Sequence, residues 1–127
     1  MDKETVRQLA LALPDAEEKA HFGRPDFRVR NRIFATLPKD AHAVVKLTPD
    51  QQEMLISSEP SLFKPVIGGW GRQGWTEVML AHADEVTLKS ALLMAWRNVA
   101  PASLQKGLGL DAITLSTTAW LATVRKP

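Results

Sequence analysis

The stretch from Phe22 to Lys46 constrains the fold most, because its apolar residues recur with a period of two and its interruptions are turn residues. Phe27 and Val29 alternate with Arg28 and Arg30, the pattern of a strand with one buried and one solvated face. Gly23 to Asp26 reads as a turn before it. Asn31 reads as the turn after it, since Asn tolerates the left-handed backbone that tight hairpins need. Ile33 to Leu37 is the return strand, Pro38-Lys39-Asp40 a further turn, and His42 to Thr48 a third strand with Val45 and Leu47 on one face. Glu17 to Phe22 reads as a strand preceding all three. A chain with this centre must complete an antiparallel sheet and cover one side of it.

The remaining segments supply that cover. Asp2 caps a helix with apolar positions at Val6, Leu9, Ala10 and Leu13, and Pro14 ends it. Thr48-Pro49-Asp50-Gln51 is a helix start with a cap, a proline at the first helical position and a capping-box glutamine. That helix runs to about Ser57 and buries Met54 and Leu55. Leu62 to Gly74 is glycine-rich and reads as a loop, with a short strand near Pro65–Ile67, and Trp75 to Leu80 is the next strand. Asp84 caps the longest helix, whose buried stripe is Leu88, Leu92, Ala95, Trp96 and Val99. Pro101 closes it, and Ser116 to Arg125 reads as a short helix with Trp120, Leu121 and Val124 inward. The expectation is a single α+β domain over residues 1–127, an antiparallel sheet with helices packed on one face.

At 127 residues the chain can bury a core without metal or disulfide staples. It has no cysteine, which excludes disulfides, thiolate nucleophiles and Cys-ligated zinc. The acidic N-terminus lacks a signal-peptide core, and no apolar run approaches the roughly 20 residues that span a bilayer. A cytoplasmic protein with no membrane association is expected. A net charge of +2 is too small to imply nucleic-acid binding, but its distribution is uneven. Residues 1–18 are acidic on balance, whereas 19–46 carry Lys19, Arg24, Arg28, Arg30, Arg32, Lys39 and Lys46 against Asp26 and Asp40.

No catalytic constellation emerges. Gly69, Gly71 and Gly74 spell G-x-G-x-x-G, yet a strand follows where a dinucleotide fingerprint needs a helix, and no kinase element accompanies it. His21, His42 and His82 have no metal-ligand spacing, and no serine sits in a nucleophile elbow. Adjacent carboxylates such as Glu17 and Glu18 point to opposite strand faces and cannot share a proton-transfer task. No enzyme activity, cofactor or metal is therefore expected. What remains is basic and aromatic. Arg28 and Arg30 are expected on one strand face, with Arg32 at the hairpin tip and Lys46 joining from the third strand. The glycine loop adds Trp70 and Arg72, with Lys64 nearby. Guanidinium groups on a protruding hairpin suit phosphate oxygens, and an exposed tryptophan can stack on bases. For Trp70 and Trp75 alike, burial in the core is the commoner case.

PDFRVRNRIFATL, then AVVKLTPDQQEMLISSEP, then GRQGWTEVML and a last helix together resemble the MmcQ/YjbR-like family of small bacterial proteins. The resemblance covers about Met1 to Leu104, leaving residues 105–127 as an extension. Its most specific pieces are the strand-turn-strand ending in Phe34-Ala35, the Val-Lys-Leu-Thr-Pro helix start, and Gly74-Trp75. It implies a frataxin-like α/β sandwich and a DNA-binding role of double-wing type. The wings would be the Arg28–Arg32 hairpin and the Gly68–Gly74 loop. This chain departs from the family pattern in having Asn31-Arg32 where a Gly-Lys turn is usual, and Ala95-Trp96 where Ser-Tyr is common. DNA is thus the first expected partner. A protein partner or homodimer on the uncovered sheet face, in the manner of an interaction or chaperone-like module, is the second, and a small ligand beneath the Trp70–Trp75 loop the third. An iron role is disfavoured, because the acidic cluster of Asp15, Glu17 and Glu18 is small.

Overall fold

The computed structural model describes residues 1–21, 23–39 and 42–107. The elements in chain order are α1 (Lys3–Leu11), β1 (Ala16–His21), β2 (Arg24–Val29), β3 (Arg32–Lys39), β4 (His42–Lys46), α2 (Pro49–Ser58), β5 (Phe63–Pro65), α3 (Gly69–Arg72), β6 (Trp75–Met79), α4 (Glu85–Val99) and α5 (Ala102–Gly107). The strands form one antiparallel sheet in the order β1-β2-β3-β4-β6-β5.

The tight turn between β2 and β3 has Arg30 at φ 50° and Asn31 at φ 68°. Positive φ at both central residues is the primed geometry that matches the twist of a two-residue hairpin. Just beyond it, Phe27 faces Ala35 and Arg28 faces Ile33, which leaves Phe34 as an extra residue in β3. This bulge turns both Phe34 and Ala35 toward the core, and both are buried.

One sheet face carries cross-strand rows of apolar side chains, among them Phe27, Ala35 and Val45, then Ala43, Val78 and Phe63. α4 crosses β3 and β4 on this face with Leu88, Leu92, Ala95, Trp96 and Val99 all buried, as its sequence stripe requires. α1 packs on α4 and β1, and α2 lies beside β5. Capping fixes the helix starts. Thr5 N donates to Asp2 Oδ1 at 2.9 Å and Thr87 N to Asp84 Oδ1 at 2.7 Å. The capping box closes in both directions, Gln51 N to Thr48 Oγ1 at 3.1 Å and Thr48 N to Gln51 Oε1 at 2.9 Å. Asn98 of α4 donates to the same Gln51 oxygen at 2.8 Å and to Lys46 O at 3.0 Å, locking α2 and β4 to the central helix.

Several expectations change. Of the Gly23–Asp26 turn, only Gly23 turns, at φ 75°; Arg24, Pro25 and Asp26 belong to β2. Proline is tolerated there because β3 takes up pairing only at Asp26, so no ladder bond is needed from Pro25 on that side. β3 runs through Pro38 to Lys39, and Asp40 lies outside the described residues. α1 stops at Leu11, ahead of Pro14, whose carbonyl accepts from Trp96 Nε1 at 3.0 Å. The glycine-rich segment contains β5 and α3 as well as loop, with the strand at Phe63–Pro65 instead of Pro65–Ile67. The helix expected over Ser116–Arg125 lies outside the described residues.

Candidate functional site

Among the described residues no helix covers the other sheet face. One cross-strand row runs its full width through Lys19, Asp26, Thr36, Val44, Glu77 and Lys64. Arg28 faces Ile33 in a second row, and Lys46 faces Trp75 in a third. A groove of about 410 Å³ lies on this face, with Ile33, Thr36 and Val44 as its floor. Pro38 and Val66 stand at its sides, Trp70 and Trp75 form an aromatic wall, and Arg24 borders it. A second hollow of about 350 Å³ shares Arg24, Ile33, Thr36 and Pro38 with the first and continues it toward Asp26 and Arg28. The uncovered face is therefore a trough from the indoles to the first hairpin.

Neither tryptophan is a core residue, although burial is the commoner case for each. Trp70 is 62% exposed and Trp75 is half-buried. Their rings meet edge to face, 5.9 Å apart at 72°, and Lys46 Nζ lies over the Trp75 ring at 5.2 Å, within cation–π range. The short helix carrying Trp70 is pinned from below. The two N–H groups of Gln52 Nε2 are shared among Gly71 O at 3.0 Å, Trp75 O at 3.1 Å and Thr76 Oγ1 at 3.1 Å, and Val66 N donates to Trp75 O at 3.0 Å. Ile67, beside it, is 93% exposed.

The glycine spacing is explained by this construction. A Cβ on Gly71 would sit 1.8 Å from Val66 O, and one on Gly74, where φ is +109°, would sit 1.9 Å from Leu47 O. Both glycines are needed for close backbone approach, Gly71 within the four-residue helix Gly69–Arg72 and Gly74 just after it.

The wing arginines fare differently. Arg28 donates to Asp26 through Nε at 2.8 Å and Nη2 at 3.1 Å, and through Nη1 to Asn31 Oδ1 at 3.0 Å. The hydrogen-bonded Asp26 carboxylate raises the Arg28 pKa above its ordinary value. Asp26 itself is 3% exposed. Arg30 does not share the face of Arg28: it has left the strand for the turn, and its Nε lies 3.3 Å from Asp15 Oδ2. Both hairpin charges are thus met by carboxylates within the chain. Arg32, Lys64 and Arg72 are exposed, as is Arg24. The structure gives none of these four an ion-pair partner among the described residues.

His42 Nδ1 lies 3.1 Å from Glu77 Oε1 on the same face, close enough to pair when the imidazole is protonated, though not at a hydrogen-bond angle. Among the described residues no group of three or more His, Asp or Glu side chains is placed to hold a metal ion. No helix among them is long and apolar enough to cross a membrane. Sequence reasoning missed Arg24, the buried Asp26 and the groove floor. Arg24 and Asp26 sat inside a presumed turn, and the floor is assembled only by strand register.

Comparison with known proteins agrees with this architecture. No curated protein matches the chain. The crystal structure of Deinococcus radiodurans protein DR2400, assigned to the domain of unknown function DUF419, has the same fold, with a TM-score of 0.62 at 20% identity over 82% of this chain and 85% of that one. The YjbR family model matches residues 11–98, more than half of the sequence, from the end of α1 into the last turn of α4. The chain belongs to the YjbR family.

Proposed function

We propose that this protein binds nucleic acid, DNA being the first form to test, and that it does so on the uncovered sheet face. The observation that carries the reading is the exposed indole of Trp70 in the wall of a trough bordered by Arg24, a cation with no ion-pair partner among the described residues. Arg24 borders the groove, Lys46 sits behind Trp75, and Lys64 and Arg72 flank the Trp70 segment on β5 and α3. Asp26 and Glu77 are the opposing charges, the first already engaged by Arg28. Backbone affinity comes from neutralising phosphates, and exposed aromatic rings add base stacking that tolerates any sequence. The hairpin contributes less than a double-wing arrangement would ask, because Arg28 and Arg30 spend their charge on Asp26 and Asp15. A small planar ligand is the second reading, favoured by a groove whose volume falls in the ordinary range for ligand sites, about 300–1,000 Å³.

Fluorescence anisotropy with labelled mixed-sequence DNA at several salt concentrations tests the proposal. If the four cations Arg24, Lys46, Lys64 and Arg72 each meet a phosphate, log affinity falls with log salt at a slope of about −2.8 on single strands, from about −0.7 per contact. A variant with all four changed to Ala should lose both binding and slope. The hairpin variant Arg28→Ala/Arg30→Ala/Arg32→Ala should keep most of the binding. Loss confined to the hairpin variant would return the contact to the wing. Absence of binding at low salt would remove nucleic acid from consideration.

A further inference from the structure

Resting on the nucleic-acid reading, we infer that the species recognised is single-stranded, and that one unpaired base enters the groove to stack against Trp70. The groove is concave, and its floor of Ile33, Thr36 and Val44 is largely apolar while one cation, Arg24, stands at its border. A duplex presents phosphates outward and keeps its base faces stacked on one another, so it would meet the border and leave the floor empty. An unpaired base offers two apolar π-faces and a polar edge, which is what an indole wall over an apolar floor can take.

The geometry around Trp70 supports a stacking platform over a mobile surface residue. Trp70 is 62% exposed, yet its ring is braced edge to face by Trp75, which itself has Lys46 over it. Its backbone is held by Gln52 and by the close approach of Gly71 to Val66. A ring already fixed in place loses little further freedom on binding, so more of the stacking energy appears as affinity. Thr36 places one hydroxyl, able to donate and accept, on the floor, and Arg24 places a fork of donors at the border. The first can meet a base edge and the second a phosphate on the strand leaving the groove.

The test uses the full chain and four probes: a short oligothymidylate, a mixed-sequence duplex, an abasic strand of equal length that keeps every phosphate, and thymidine monophosphate as competitor. Wild type should bind oligothymidylate about tenfold or more tighter than the abasic strand or the duplex. Trp70→Ala should bind oligothymidylate as weakly as the abasic strand, and Trp70→Phe should retain most of the preference. Equal binding of oligothymidylate and abasic strand by wild type would overturn the base pocket and leave a phosphate-only surface, so the nucleic-acid reading would survive. A preference for duplex would do the same. Monophosphate competing as well as the strand would overturn it in favour of a small-ligand site. If none of the nucleic acids binds at low salt, the parent reading fails and this inference with it.

Discussion

At the residue scale, Gly74 and Gly23 separate two costs that a glycine position can carry. Both have positive φ, +109° and +75°, where an L side chain is strained. At Gly23 an added Cβ meets nothing within 4 Å, so Gly23→Ala should cost about 1–2 kcal/mol of backbone strain alone. At Gly74 the Cβ would also collide with Leu47 O at 1.9 Å, an atom tied into the sheet by its neighbouring amide, since Leu47 N donates to Gly74 O. Gly74→Ala should therefore cost more than the roughly 1–3 kcal/mol of strain, because β4 and β6 must also separate. Urea midpoints of the two variants check this. Equal midpoints would mean that the Leu47 contact yields without cost, and the tight anchoring of the Trp70 segment would lose one of its supports.

At the element scale, the β2–β3 turn keeps an arginine where its geometry favours Asn or Gly. Arg30 sits at φ 50°, and the Asp15 contact that holds it is an exposed ion pair worth about 1 kcal/mol at most. Arg30→Asn leaves Asn31 and its bonds from Arg28 and Lys19 in place, relieves the αL strain, and should raise stability by about 0.5–1 kcal/mol. A lower denaturation midpoint would show that the Asp15 pair outweighs the strain. The same elements show where sequence reading succeeds and stops. Thr48-Pro49-Asp50-Gln51 spells its helix start because capping chemistry is local, and α4 shows its buried stripe because one helix carries the whole period. β5 and α3 are hidden: a three-residue strand ending in Pro65 and a helix reading Gly-Trp-Gly-Arg both run against propensity and exist through contacts to Gln52 and β6. Asp26 likewise looks like a turn residue until β1 and β3 enclose it. The groove was least legible, since Ile33, Val44 and Trp70 are remote in sequence and meet only through register and the β5–β6 connection.

At the scale of the whole molecule, the sheet divides stability from availability. Its edges are poor docking strands, as β1 carries Glu17, Glu18 and Lys19 while β5 is short and contains Pro65. The helix-covered face carries the core, and Trp96 at its centre is fully buried while its Nε1 reaches Pro14 O across 82 positions of sequence. Trp96→Ala should cost about 3–5 kcal/mol, a fall in Tm on the order of 10 °C or more. Trp70→Ala removes a ring that is mostly in solvent, so beyond the edge contact with Trp75 it should cost about 1 kcal/mol or less. Calorimetry on the two variants reads the division directly, and a small Trp70 effect is what allows binding losses in that variant to be assigned to the groove. A Trp70→Ala transition as depressed as that of Trp96→Ala would make the exposed indole a structural member, and the open face would then owe its tryptophans to folding.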